Sequence, residues 1–318
     1  MTTLQRLRTD LHRQWDATTL GFGALFATLF GIQLWTMLVT ETTQVIVDGF
    51  GPQSVPMFTT SAVASLVGLG GGTLVYVRYR ALDLGMSWPR EGTWPIALAV
   101  IVAPALLAVA VSAVGNALFG VSLSAITQQW LSPQVSAEFV FLHLVPSDVF
   151  RGIGAGLLIC GVIYESVHRL VGADDAAGLA ALFIGYYWLM PWSPIPTIPP
   201  SLTDSILFAL TLLLAVAFGM AVGVLYRTLS DSQHASALAR RDIPVFGVAF
   251  VGILGIASDL LTFPQDVRHL LWILVLGLAV IGYARTRSVW VAVLSLVTYH
   301  VGVSAVVWVE ASLGLAVM

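Results

Sequence analysis

Long apolar runs, broken by short segments that collect arginine, aspartate, glycine and proline, repeat along the whole chain. A bilayer core of ~30 Å is crossed by about 20 apolar residues in a helix. By that measure the sequence predicts nine spans, near 18–39, 56–77, 94–118, 138–167, 176–192, 204–225, 243–262, 269–284 and 289–309. The runs lack the two-residue alternation of a membrane β-barrel strand. The expected fold is therefore all-α, a polytopic membrane helix bundle. The fourth run is too long for one straight span, and Pro146 is expected to kink it or start a second piece. The fifth and eighth runs are the shortest, which leaves open whether 176–192 and 269–284 fully cross the bilayer.

Arginine placement orients the bundle, since cytoplasmic loops collect positive charge. With the N-terminus inside, Arg6, Arg8, Arg13, Arg78, Arg80, Arg90, Arg169, Arg227, Arg240, Arg241, Arg285 and Arg287 are all cytoplasmic. Arg268 falls outside, and Arg151 lies within a span. Residues 1–16 read as a basic, partly amphipathic juxtamembrane segment with Trp15 at the interface, not as a cleaved signal. Residues 17–318 read as one multi-pass transmembrane domain. Between the fifth and sixth runs, "MPWSPIPTIPPSLTD" carries five prolines from Pro191 to Pro200, a stiff outer connector or a lid.

Composition sharpens this picture. Of 318 residues, 58% are hydrophobic and 10% charged, too few polar groups to cover a soluble protein of this size. The cell membrane is the expected location and membrane lipids are expected partners. A net charge of −3 gives no footprint for nucleic acid. All 14 basic residues are arginine. The single cysteine, Cys160, excludes disulfides and cysteine-based metal clusters and reads as packing.

Candidate chemistry is confined to polar groups at membrane depth, which are costly and usually face a bundle interior or cavity. No zinc-type H-E-x-x-H, G-x-S-x-G elbow or phosphate loop occurs. The glycine run "GLGGGT" at 68–73 lies inside a span and reads as helix packing. The fourth span is the richest in polar groups, with Glu138, His143, Asp148, Arg151, Glu165, His168 and Arg169. Glu165 and Arg169, four apart, predict an ion pair on the helix surface. Asp148 and Arg151, three apart in "VPSDVFRG", can share a face and offset each other's desolvation, with Tyr187 or His300 adding a hydrogen bond. That pair is either a structural strut or part of a working site.

"VFRGIGAGLL", followed by "AAGLAALFIGYYWL", resembles the CPBP family of intramembrane metalloproteases, of the CAAX-processing and bacteriocin-processing type. "LDLGMSWPREGTWPIALAV" and "YARTRSVWVAVLSLVTYH" are similar to the family's entry segment and third-motif helix, so the resemblance covers roughly 82–310. It implies E-E-x-x-x-R on one helix, F-x-x-x-H on the next, and H-x-x-x-N or H-x-x-x-D on a later one. Phe150, Arg151, Gly152 and Phe183 match. Pro146 and Ser147 stand where the glutamates belong, Tyr187 replaces a histidine, and alignment on "TRSVW" puts Leu296 and His300 at the third-motif histidine and asparagine. Taking the seventh span as the third-motif helix leaves Phe250 and Leu254 there instead.

The resemblance thus implies a catalytically degenerate member, with Asp148, Arg151, Tyr187 and His300 as candidate site residues. No cofactor is expected, and a membrane-embedded or lipidated peptide or protein is the implied partner. An active protease would need zinc on a shifted set, His143, Asp148 and His300. A third reading is a transporter whose polar path uses Asp148, Arg151, Asp259, His300 and Glu310, although no inverted repeat is evident.

Overall fold

The computed structural model describes residues 17–48, 60, 62–129, 131–172, 175–180, 209, 212–213, 216–226 and 265–315. Among these residues the regular structure is entirely helical. Four helices are long and apolar enough to cross a membrane: Ala17–Val47, Trp94–Phe119, Ala137–Val171 and Val289–Ser312. Val216–Tyr226 and Leu270–Thr286 are shorter apolar helices. The spans expected at 176–192, 204–225 and 243–262 lie wholly or partly outside the described residues.

In chain order, α1 is Ala17–Asp48. α2 is Gly72–Arg80, entered through π-helical Ala64–Gly71. α3 is Trp94–Phe119 and α4 the short Leu123–Thr127. α5 is Ala137–Val171, α6 Val216–Tyr226, α7 Gln265–Thr286 and α8 Val289–Ser312.

One expectation changes here, and Pro146 starts a second helical piece as expected. α1 runs on to Asp48, past the expected end near 39, through a threonine-rich stretch. The hydroxyls of Thr36, Thr40, Thr42 and Thr43 each donate to the carbonyl four residues back, so these polar side chains are satisfied by the helix itself. α5 continues through Pro146. A π-helical turn, Val140–Leu144, precedes the proline, which then occupies the first turn of a fresh α-helical segment, Val145–Leu157. The missing N–H therefore falls where the hydrogen-bond ladder is already reset.

The chain divides into two compact units. The first contains α6 and the start of α1. A Cβ on Gly219 would lie 2.6 Å from the Phe22 carbonyl oxygen, and one on Gly223 2.7 Å from the Thr19 Cα. This G-x-x-x-G spacing lets two backbones approach, as small residues do between membrane helices. Phe26 and Phe218 meet edge to face at 5.5 Å.

The second unit is organised around α5 and α8. Gly152 and Gly156 form another G-x-x-x-G face, where an added Cβ would come within 2.6 Å of the Val297 nitrogen and 2.8 Å of the Val293 Cα. The lower-numbered glycine meets the higher-numbered valine, so the two helices are antiparallel. On the opposite side, Gly154 abuts the Ser65 carbonyl and Gly161 packs on Thr73 and Val77, which makes α2 parallel to α5. Tyr76 and Ser166 share a 2.8 Å hydrogen bond in the same register.

α3 runs parallel to α8. Gly302 meets Ala105, and Ser112 meets Glu310. Pro104 lies within α3 and loosens its ladder there. The Thr298 hydroxyl donates to the Ile101 carbonyl near that break.

The turn between α7 and α8 holds one end of this unit together. Arg287 takes a left-handed conformation, φ 52°, and its nitrogen donates to the Tyr283 carbonyl at 2.7 Å. The segment before α3 lies against this turn. Val289 N donates to the Gly85 carbonyl at 3.0 Å, and Trp290 Nε1 to the Met86 carbonyl at 2.8 Å. Gly85 is required there, with φ +58° and room for no Cβ beside the Arg287 carbonyl.

Candidate functional site between α5 and α8

Asp148 lies in the first turn of Val145–Leu157, on the α5 face that also carries Gly152 and so turns toward α8. It is 3% exposed. The Ser304 hydroxyl on α8 donates to its Oδ2 at 2.5 Å. Gln129 Nε2, from the segment after α4, donates in turn to Ser304 Oγ at 2.9 Å. The carboxylate is thus tied to a neighbouring helix and, through it, to a loop.

The pair expected within "SDVFR" takes a different form. Arg151 NH1 stands 3.9 Å from Asp148 Oδ1, and its side chain is 41% exposed against 4% for the aspartate. The antiparallel register brings Arg151 level with His300, and the two are within electrostatic reach. The His300 ring packs against Trp272 at 5.3 Å and Tyr299 at 5.5 Å, centroid to centroid. Asp148, Arg151 and His300 therefore belong to one neighbourhood, joined by Ser304 and Gln129, which the sequence did not single out. Ser304 lies one turn beyond His300, at the i+4 spacing that shares a helix face, and that was the available signal. Gln129 offered none. Tyr187 and Asp259 lie outside the described residues.

The other singled-out positions separate from this neighbourhood. His143 packs at a tilt against Phe139, 4.8 Å between ring centroids, in the π turn before Pro146. Five residues before Asp148, it lies about 140° away around the helix. Leu296 is fully buried core. Ser147 is buried, and its hydroxyl has no hydrogen-bond partner. Among the described residues, no three or more His, Cys, Asp or Glu side chains form a group able to hold a metal ion, and the set His143, Asp148 and His300 is no exception. Cys160 is a free, fully buried thiol among core side chains.

Two further carboxylates are buried for evident structural reasons. Glu310, 2% exposed, receives the Ser112 hydroxyl at 2.5 Å and the Asn116 amide at 3.2 Å. It also receives the backbone N–H groups of Leu123 at 2.8 Å and Ser124 at 3.1 Å. It pins the chain entering α4 to the ends of α3 and α8.

Glu165 corrects an expectation. It is buried, not part of a pair on the helix surface, because the α7–α8 turn covers that end of α5. Arg287 donates to its Oε1 at 3.2 Å and the Tyr283 hydroxyl at 2.8 Å.

No protein family, curated protein or solved structure matches this chain.

Proposed function

We propose that this is a multi-pass membrane protein of the cell membrane, built on a CPBP-like arrangement without its hydrolytic ligand set, and that it acts by binding a membrane-embedded or lipidated peptide or protein. The observation that carries this reading is the way Asp148 is used. The carboxylate nearest the expected glutamate positions is committed to Ser304 on the partner helix and is shielded from solvent. A hydrolytic carboxylate must instead reach a water or a metal. Beside it, Ser147 and Pro146 offer no carboxylate. Arg151, half-exposed on the next turn of α5, is the charged group that would meet a bound partner.

The relative helix directions are those that a nine-span count requires. That count requires the second and fourth spans to run one way and the third and ninth the other, as α2 with α5 and α3 with α8 do. α5 and α7 also run the same way, since Glu165 near the end of α5 meets Tyr283 near the end of α7. With both crossing the bilayer, an odd number of crossings would separate them, and the apolar runs 176–192, 204–225 and 243–262 would supply three.

The test is a cleavage assay on the purified full chain in detergent, with prenylated and unmodified peptides, with and without added zinc. The reading expects intact peptides under every condition. Cleavage that chelation abolishes and that His300→Ala removes would overturn it. A transport role has one observation in its favour, an arginine 41% exposed within a span. Ion or solute flux in proteoliposomes that Arg151→Leu abolishes would establish that role instead.

A further inference from the structure

We propose that the apolar cleft between α3, α4 and the start of α7 holds an acyl chain of an anionic phospholipid, with Arg268 meeting the headgroup phosphate. The cleft has a volume of about 310 Å³ and is lined by Ala110, Val111, Val114, Phe119, Ile126 and Val267, among others. That volume is within the ~300–1,000 Å³ typical of small-molecule pockets. Its shape follows from the sequence. α3 ends in the π turn Gly115–Phe119, Gly120 reverses the chain at φ +62°, and Val121 folds back to donate to the Gly115 carbonyl at 3.1 Å. A Cβ on Gly115 would lie 2.7 Å from the Val121 carbonyl oxygen, so glycine keeps this return tight.

The lining selects the occupant. An extended peptide inserted there would bring backbone N–H and C=O groups that the aliphatic and aromatic walls could not satisfy, whereas an acyl chain brings none. The rim supplies charge. Arg268 follows Val267 directly, and its NH1 donates at 2.8 Å to Oε1 of Gln128, two residues beyond Ile126. Its partner there is a neutral amide, and among the described residues no carboxylate pairs with it. A guanidinium beside an apolar slot matches a phosphate attached to a hydrocarbon chain. The inference depends on the proposed topology only for the leaflet, which would be the outer one, and it stands whether or not the α5–α8 site binds a partner.

Native mass spectrometry of the full chain, released from detergent after incubation with equal amounts of phosphatidylglycerol and phosphatidylcholine of matched chains, tests it. One retained lipid per protein is expected, favouring phosphatidylglycerol. Arg268→Gln should lower that preference by about fivefold while leaving a lipid bound. Val114→Phe or Ala110→Phe, which fill the cleft from exposed positions, should abolish retention of both lipids. Val109→Phe, on the same helix but outside the lining, should change neither. Equal retention of the two lipids by the unaltered chain, or undiminished retention in a cleft-filling variant with an unchanged thermal midpoint, would overturn the proposal.

Discussion

Ser304 of α8 gives its hydroxyl to Asp148 of α5 at 2.5 Å, closer than the 3.9 Å between Asp148 and Arg151. The difference changes what the charges in "VPSDVFRG" do. At 3.9 Å the guanidinium and the carboxylate make no direct hydrogen bond, and the arginine is half-exposed while the aspartate is buried. A direct hydroxyl donor from another helix stabilises the carboxylate and joins two elements distant in sequence.

Arg151→Leu is therefore expected to lower stability by less than Ser304→Ala does. For the serine, which donates to a charged group, the loss should be about 1.5–3 kcal/mol, and for the arginine less than that. Thermal unfolding in detergent measures both. The reverse ranking would restore the ion pair as the main strut.

Glu310 is expected to be the costlier carboxylate to lose. Glu310→Ala would strand the Leu123 and Ser124 N–H groups and the Ser112 hydroxyl in a buried site. A drop of at least ~3 kcal/mol is expected. Glu310→Gln keeps one acceptor oxygen and should lose less. Thermal midpoints for the two variants, compared with that of Asp148→Asn, give the ranking.

Close helix approach at Gly152 predicts a sharp contrast between glycines. Gly152→Ala would drive a methyl into the Val297 backbone and should cost about 1–3 kcal/mol. Gly31→Ala, with no atom within 4 Å of the added methyl, should be neutral or stabilising by ~0.5–1 kcal/mol. Equal effects in thermal unfolding would mean that α5 and α8 do not pack through this face.

The helices among the described residues and the crowded fourth span were legible in the sequence because an apolar run of about 20 residues is the length a membrane helix needs. The end of α1 was not. Threonines that look like loop residues can satisfy their hydroxyls on helix carbonyls, and hydropathy does not register that. Pro146 was legible as a kink or the start of a second piece, and it does begin a new α-helical segment, but the π turn before it has no compositional signature. In the site, Asp148, Arg151 and His300 were legible as ionisable groups in apolar surroundings. Ser304 and Gln129 were not, since small or neutral polar residues carry no such penalty to flag them. Glu165 was assigned to a local i+4 pair because sequence displays local neighbours, whereas Arg287 and Tyr283 reach it only through the α7–α8 turn.

Orientation is open to direct measurement. Reporter tags at the N-terminus and in the 227–242 loop should be cytoplasmic, and a tag after Met318 should be outside. A cytoplasmic C-terminus would contradict the nine-span count.

The measurement closest to the centre of this account is a double-mutant cycle on Asp148→Ala and Ser304→Ala, read by thermal unfolding in detergent alongside peptide cleavage. If Asp148 is a tie between helices, the two changes should couple by about 1.5–3 kcal/mol, with no cleavage to lose. Additive effects on stability, together with a cleavage activity that Asp148→Ala abolishes, would contradict it and make Asp148 a catalytic carboxylate.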